Sequence, residues 1–119
     1  MFDWREYYEL ARMLAGCDDE ACERSAISRA YYAAFCGARN AIAGSIPIKD
    51  DHTAHSLVWR CYSMGEHRYR RISQNGDRLK GLRRAADYDN QIKGLKETTK
   101  FAIKLAGSVL DDLSRFGER

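Results

Sequence analysis

Apolar residues recur at steps of three and four along most of this chain, the spacing that lines up one face of an α-helix. The clearest stretch covers residues 24–43, which hold no proline and one internal glycine. Ile27, Ala30, Tyr31, Ala34, Phe35, Ala38 and Ile42 form its stripe. Alanines beside Tyr31 and Phe35 let a neighbouring helix come close while the aromatic rings fill the gaps. This pattern predicts the central helix of a bundle.

The flanking pattern predicts the remaining helices. Trp4, Tyr7, Tyr8, Ala11 and Leu14 make a stripe over residues 3–15. Asp3 and Glu6 fit a capping box at its start, and Gly16 is the expected stop. Asp18, Asp19 and Glu20 place carboxylates at the start of the central helix, and Gly44, Ser45 and Pro47 break the pattern after it. Asp50 or Asp51 is expected to cap a third helix with the stripe Ala54, Leu57, Val58, Cys61 and Tyr62, ending at Met64 and Gly65. Residues 67–75 keep poor periodicity, and Asn75-Gly76 is a turn signal. Only a short helix is therefore expected next, capped by Asp77 and carrying Leu79, Leu82 and Ala86. Asp87, Tyr88, Asp89 and Asn90 read as a break, with Asp89 or Asn90 capping a last helix that runs to about Phe116. Its stripe runs from Ile92 through Leu95, Thr99, Ala102, Ile103, Ala106, Val109 and Leu110 to Leu113. Gly107 interrupts it and is a candidate close contact between helices, since glycine in a helix interior otherwise costs roughly 1 kcal/mol against alanine. The fold class expected is all-α, a bundle of four principal helices and one short one in a single domain over residues 1–119.

Composition narrows this little. At 119 residues, 45% hydrophobic and 31% charged, the chain is long enough to bury a core without disulfides or metal. Cys17, Cys22, Cys36 and Cys61 contain no CxxC pair, so no metal site is expected. No Gly-rich phosphate loop is present, and no cofactor is expected. The opening residues MFDWREYY are charged and lack the apolar core of a signal peptide. No apolar run approaches the roughly 18 residues that span a bilayer. These readings lead to an expectation of a cytoplasmic protein with no membrane contact.

Charge changes the picture through its placement. The formal total is only +3, but residues 67–84 hold Arg68, Arg70, Arg71, Arg78, Lys80, Arg83 and Arg84 against the single acid Asp77. Arginine's planar fork pairs with phosphate oxygens, and Tyr69 among them offers a ring for base stacking. The segment is therefore a candidate RNA- or DNA-binding surface, with a solvated basic connector as the alternative. Among the histidines, His52 and His55 share one face of the third helix, where the plainer expectation is one packed and one exposed. Arg60 and His67 form an Arg-x6-His pattern. A neutral histidine beside an arginine can take the proton of a ribose 2′-hydroxyl while the arginine steadies the phosphate. Asp87 and Asp89 flank Tyr88 and read as caps before they read as an acid–base pair.

Two segments resemble a known family. Ser28-Arg29-Ala30-Tyr31-Tyr32-Ala33-Ala34-Phe35 resembles the SRAYYAAF-type signature in the second helix of small stand-alone prokaryotic HEPN-domain proteins. Arg83-Arg84-Ala85-Ala86-Asp87-Tyr88-Asp89 resembles their R-x-x-ADYD motif before the last helix, and His55 with Val58 resembles the H-x-x-V of their third helix. The resemblance implies an up-and-down bundle of four to five helices and a homodimer with a groove at its seam. It implies RNA as the partner and metal-independent ribonuclease activity, in a toxin–antitoxin or defence module with a minimal nucleotidyltransferase antitoxin. In that family the active site is an Arg-x4–6-His motif at the junction before the last helix. Here Tyr88 stands where the motif has histidine. Its ordinary pKa of about 10, against about 6.5 for histidine, makes it a poor base at neutral pH. On this reading Arg83 steadies phosphate charge, His55 or His67 is the base, and Asp87 and Tyr88 complete the site. The competing expectation is a structural network in which Ser28, Arg29, Tyr31 and Tyr32 of the central helix support the junction and Arg29 meets Asp87. A non-catalytic helical dimer that binds a nucleotidyltransferase or another protein is the alternative function.

Overall fold

The computed structural model describes residues 1–116, and among these it is an all-α bundle of five helices. They are α1 (Arg5–Ala15), α2 (Glu20–Ile42), α3 (Ala54–Ser63), α4 (His67–Tyr88) and α5 (Leu95–Ser114). The central helix α2 packs against α1, α4 and α5, while α3 lies mainly on α4. Every residue of the stripe read from the sequence of α2 is buried. Each large side chain removed from water there, such as Ile27, Tyr31 or Phe35, contributes about 2 kcal/mol. Ala26, Ala33 and Cys36 are buried as well, because α2 has neighbours on more than one side.

The helix starts follow local chemistry, with three departures. The Asp19 carboxylate accepts from the Ala21 N–H at 3.1 Å and caps α2. Neither Asp50 nor Asp51 is the cap of α3, which is Thr53; Asp51 instead accepts from the Thr53 N–H at 2.8 Å, just before the helix begins. Asp3 accepts from the Arg5 N–H at 3.0 Å, so the reciprocal box with Glu6 is not formed. The last helix does not begin at Asp89 or Asn90. Asp89 closes α4, and α5 starts after Gly94, whose φ of +62° is a left-handed conformation that side chains resist.

The largest departure is α4. Residues 67–75 and 77–88 form one continuous helix of 22 residues, with no turn at Asn75-Gly76. Its inward positions are Ile72, Gly76, Leu79, Arg83 and Ala86, spaced by four, three, four and three. Glycine and arginine hold two of these five positions, which hides the stripe from a hydrophobicity reading. Gly76 is an inward position because Trp59 needs the space. A Cβ built there would lie 2.2 Å from Trp59 Cε3 and 2.4 Å from Cδ2 and Cζ3. The ring itself is fully enclosed, and it replaces Leu57 and Cys61 at the centre of the buried face of α3. Gly107 does mark a close contact, since its Cβ would meet the Tyr8 hydroxyl at 2.8 Å.

One ion pair fastens α4 to α5. Arg71 Nε donates to Asp112 Oδ2 at 2.8 Å, with its Nη2 on the other carboxylate oxygen. Asp112 is buried, and its carboxylate holds the Arg71 guanidinium above its ordinary pKa. No described helix is long and apolar enough to cross a membrane.

Candidate functional site

Helical phase divides the basic residues of α4 into two sets. Arg70, Gln74, Asp77, Gly81, Arg84 and Tyr88 step by four and three along one face, and all are exposed, as is the adjacent Arg78. This face extends for roughly 27 Å. Near its C-terminal end, Gly81, Arg84, Ala85, Tyr88 and Asp89 line an open depression of about 460 Å³. Tyr88 is 75% exposed and offers its ring to solvent. Three exposed arginines stand on this surface against Asp77 and Asp89. Arg71 is not part of it, because its fork is occupied by Asp112.

Arg83 belongs to the other set. Its side chain is only 14% exposed and donates to Asp87 Oδ2 at 3.3 Å, one turn along the helix. Its guanidinium lies 5.4 Å from the Tyr31 ring centre and 5.7 Å from that of Tyr32. Its Nε is buried and has no hydrogen-bond partner among the described residues. Arg83 and Tyr88, neighbours in the sequence motif, therefore face opposite ways. Lys80 reaches across to α3 and donates to Ser56 Oγ at 2.8 Å. Arg68 lies over the Tyr69 ring at 5.2 Å.

The inward set meets His55. Its ring stacks on Phe35 with centres 4.1 Å apart and planes 11° apart, and lies nearly parallel to Tyr31 at 5.6 Å. His55 Nδ1 and the Tyr31 hydroxyl are 2.7 Å apart, and Trp59 Nε1 donates to the same hydroxyl at 3.2 Å. Burial pushes the His55 pKa down, and the nearby charges of Arg83, Lys80 and Arg39 push it the same way. Burial also raises the Tyr31 phenol. His55 borders a cavity of about 360 Å³ whose wall includes Phe35, Arg39, Lys49, Asp50 and Asp51. His52 is exposed, so of this histidine pair one packs and one does not.

His67 opens α4 on the surface, and Arg60 is exposed on α3, both outside the packed cluster of His55, Tyr31 and Arg83. The Arg29–Asp87 contact expected from the sequence is absent. Arg29 lies 4.8 Å from the Tyr7 ring centre on α1 and 6.0 Å from Tyr32. Ser28 is buried in α2.

Arg24 makes the tie between α2 and the junction. Its guanidinium donates to the carbonyls of Ala86 at 3.0 Å, Asp89 at 2.6 Å and Asn90 at 3.3 Å. These are carbonyls that the end of α4 leaves without helical partners. Sequence reasoning passed over Arg24 because its partners lie more than 60 residues away. Trp59 was missed for a different reason, being one step off the expected stripe. Among the described residues, no group of three histidine, cysteine or acidic side chains could hold a metal ion. No family model, curated protein or solved structure matches this chain.

Proposed function

We propose that this chain is a HEPN-type RNA-binding protein, working as a homodimer in a toxin–antitoxin or defence module beside a minimal nucleotidyltransferase. The observation that carries the RNA reading is the exposed face of α4. Arg70, Arg78 and Arg84 line it, and Tyr88 stands exposed at its end beside the Arg84 depression. Arginine forks on phosphates and an open tyrosine ring under a base are the two contacts that single-stranded RNA binding uses.

Binding is favoured over cleavage by how the remaining groups are engaged. Arg83 is held by Asp87 and two tyrosine rings. His55 Nδ1 is bonded to Tyr31, and His67 stands at the far end of α4 from Tyr88. The pair at the bundle, His55 and Arg83, is therefore not left open for 2′-hydroxyl activation.

The test is binding of a labelled single-stranded RNA by fluorescence anisotropy, with salt varied. Three phosphate contacts give a slope of about −2 in log affinity against log salt. The triple variant R70E/R78E/R84E is expected to abolish binding while leaving the helical signal intact. A flat salt dependence with unchanged affinity in the triple variant would leave the protein-binding dimer as the better reading. RNA cleavage that disappears in Arg83→Ala or His67→Ala would establish ribonuclease activity instead.

A further inference from the structure

The hydrogen-bond order around His55 determines what that residue offers a ligand. Trp59 Nε1–H can only donate, so the Tyr31 oxygen accepts from it at 3.2 Å. Tyr31 is fully buried, and its one hydroxyl proton needs an acceptor. The remaining partner is His55 Nδ1 at 2.7 Å. Nδ1 must therefore accept, and the proton of the neutral ring sits on Nε2. The opposite assignment would give the Tyr31 oxygen two incoming donors and strand its own proton in the core. Parallel stacking on Phe35 and Tyr31 holds the imidazole plane, so the ring cannot turn to exchange the two nitrogens. Nε2 has no protein acceptor among the described residues.

We infer that Trp59 and Tyr31 lock His55 as the Nε2–H tautomer, making it a hydrogen-bond donor and not a general base. Every charged group around the ring is consistent with a neutral donor. Arg39 from α2 and Lys80 and Arg83 from α4 disfavour a further positive charge. Tyr31 and Tyr32 are the phenols beside it. Asp87 faces Arg83, Asp51 is bonded to Thr53, and Asp50 is exposed at the cavity wall. A fixed donor recognises oxygen in the same way across the neutral pH range, whereas an ordinary histidine changes role near its pKa.

Two-bond proton–nitrogen correlation spectra of the 15N-labelled protein test this directly. The expected result is one slowly titrating tautomer with Nδ1 unprotonated and Nε2 protonated at neutral pH. Tyr31→Phe keeps the ring and removes the hydroxyl; it is expected to give a tautomer mixture. A protonated Nδ1 in the wild type, or a spectrum unchanged in Tyr31→Phe, would overturn the lock.

Discussion

Replacing Gly76 by alanine gives a direct test of how α4 is built. In an exposed helix this change stabilises by roughly 1 kcal/mol, because alanine restricts the unfolded chain and suits the helix. At Gly76 the new methyl would lie 2.2 to 2.4 Å from three atoms of the Trp59 ring. Real carbon contacts are more than 1 Å longer, so the ring or the helix has to move. Trp59 has little freedom to do so. It is 1% exposed and tied through Nε1 to the Tyr31 hydroxyl. Forcing a methyl into a packed core costs about 1–3 kcal/mol, and losing alignment with Tyr31 adds to that. A net destabilisation of about 2 kcal/mol is expected, which lowers the melting temperature by about 8 °C in a domain of this size. Gly81 is the control, because it lies on the same helix with nothing within 4 Å of its would-be Cβ. Gly81→Ala is expected to raise the melting temperature by a few degrees. Thermal unfolding followed by circular dichroism reads both variants. If Gly76→Ala is as stable as the wild type, the close approach of α4 to Trp59 is wrong, and a turn at Asn75-Gly76 becomes the better description.

Other consequences follow from the same contacts. Arg24→Ala removes three donors from the carbonyls at the end of α4 and is expected to cost about 1–3 kcal/mol in denaturant unfolding, while Arg29→Ala, losing ring contacts only, costs less than about 1 kcal/mol. Equal effects would contradict the role given to Arg24. Arg71→Ala leaves the buried Asp112 carboxylate without its partner and is expected to be the more destabilising change, with Asp112→Asn milder because it removes the stranded charge; the comparison by chemical denaturation fails if the two rank the other way. Stability should also depend on pH through His55. Its folded-state pKa lies below the ordinary 6.5, so the unfolded chain binds the extra proton more readily. The contribution is complete above about pH 6.5 and is lost as pH falls toward the folded value. Melting temperatures between pH 5 and 7 should therefore decline more steeply in the wild type than in His55→Gln, and parallel curves would show that His55 is not perturbed.

The sequence by itself determined the helical class and the central helix. Ile27, Ala30, Tyr31, Ala34, Phe35, Ala38 and Ile42 repeat with the helical period, and burial of that face needs no information from elsewhere in the chain. The acidic start of α2 was legible too, and there the Asp19 carboxylate takes the Ala21 N–H. The course of α4 was not legible. Gly76 and Arg83 sit at inward positions for reasons supplied by other helices, the ring of Trp59 in one case and those of Tyr31 and Tyr32 in the other. A local reading sees a turn residue and a surface charge. The candidate site divided for the same reason. Arg83 and Tyr88 are five residues apart in one motif, but a helix turns about 500° over five residues and so sends them to different faces. Only the tertiary structure decided which face meets the bundle and which meets solvent. It also replaced Arg29 with Arg24 at the end of α4, and joined Tyr31 to His55 and Trp59 across 24 and 28 residues of chain. Periodicity is a property of one helix, whereas the partner of a buried polar group is a property of two.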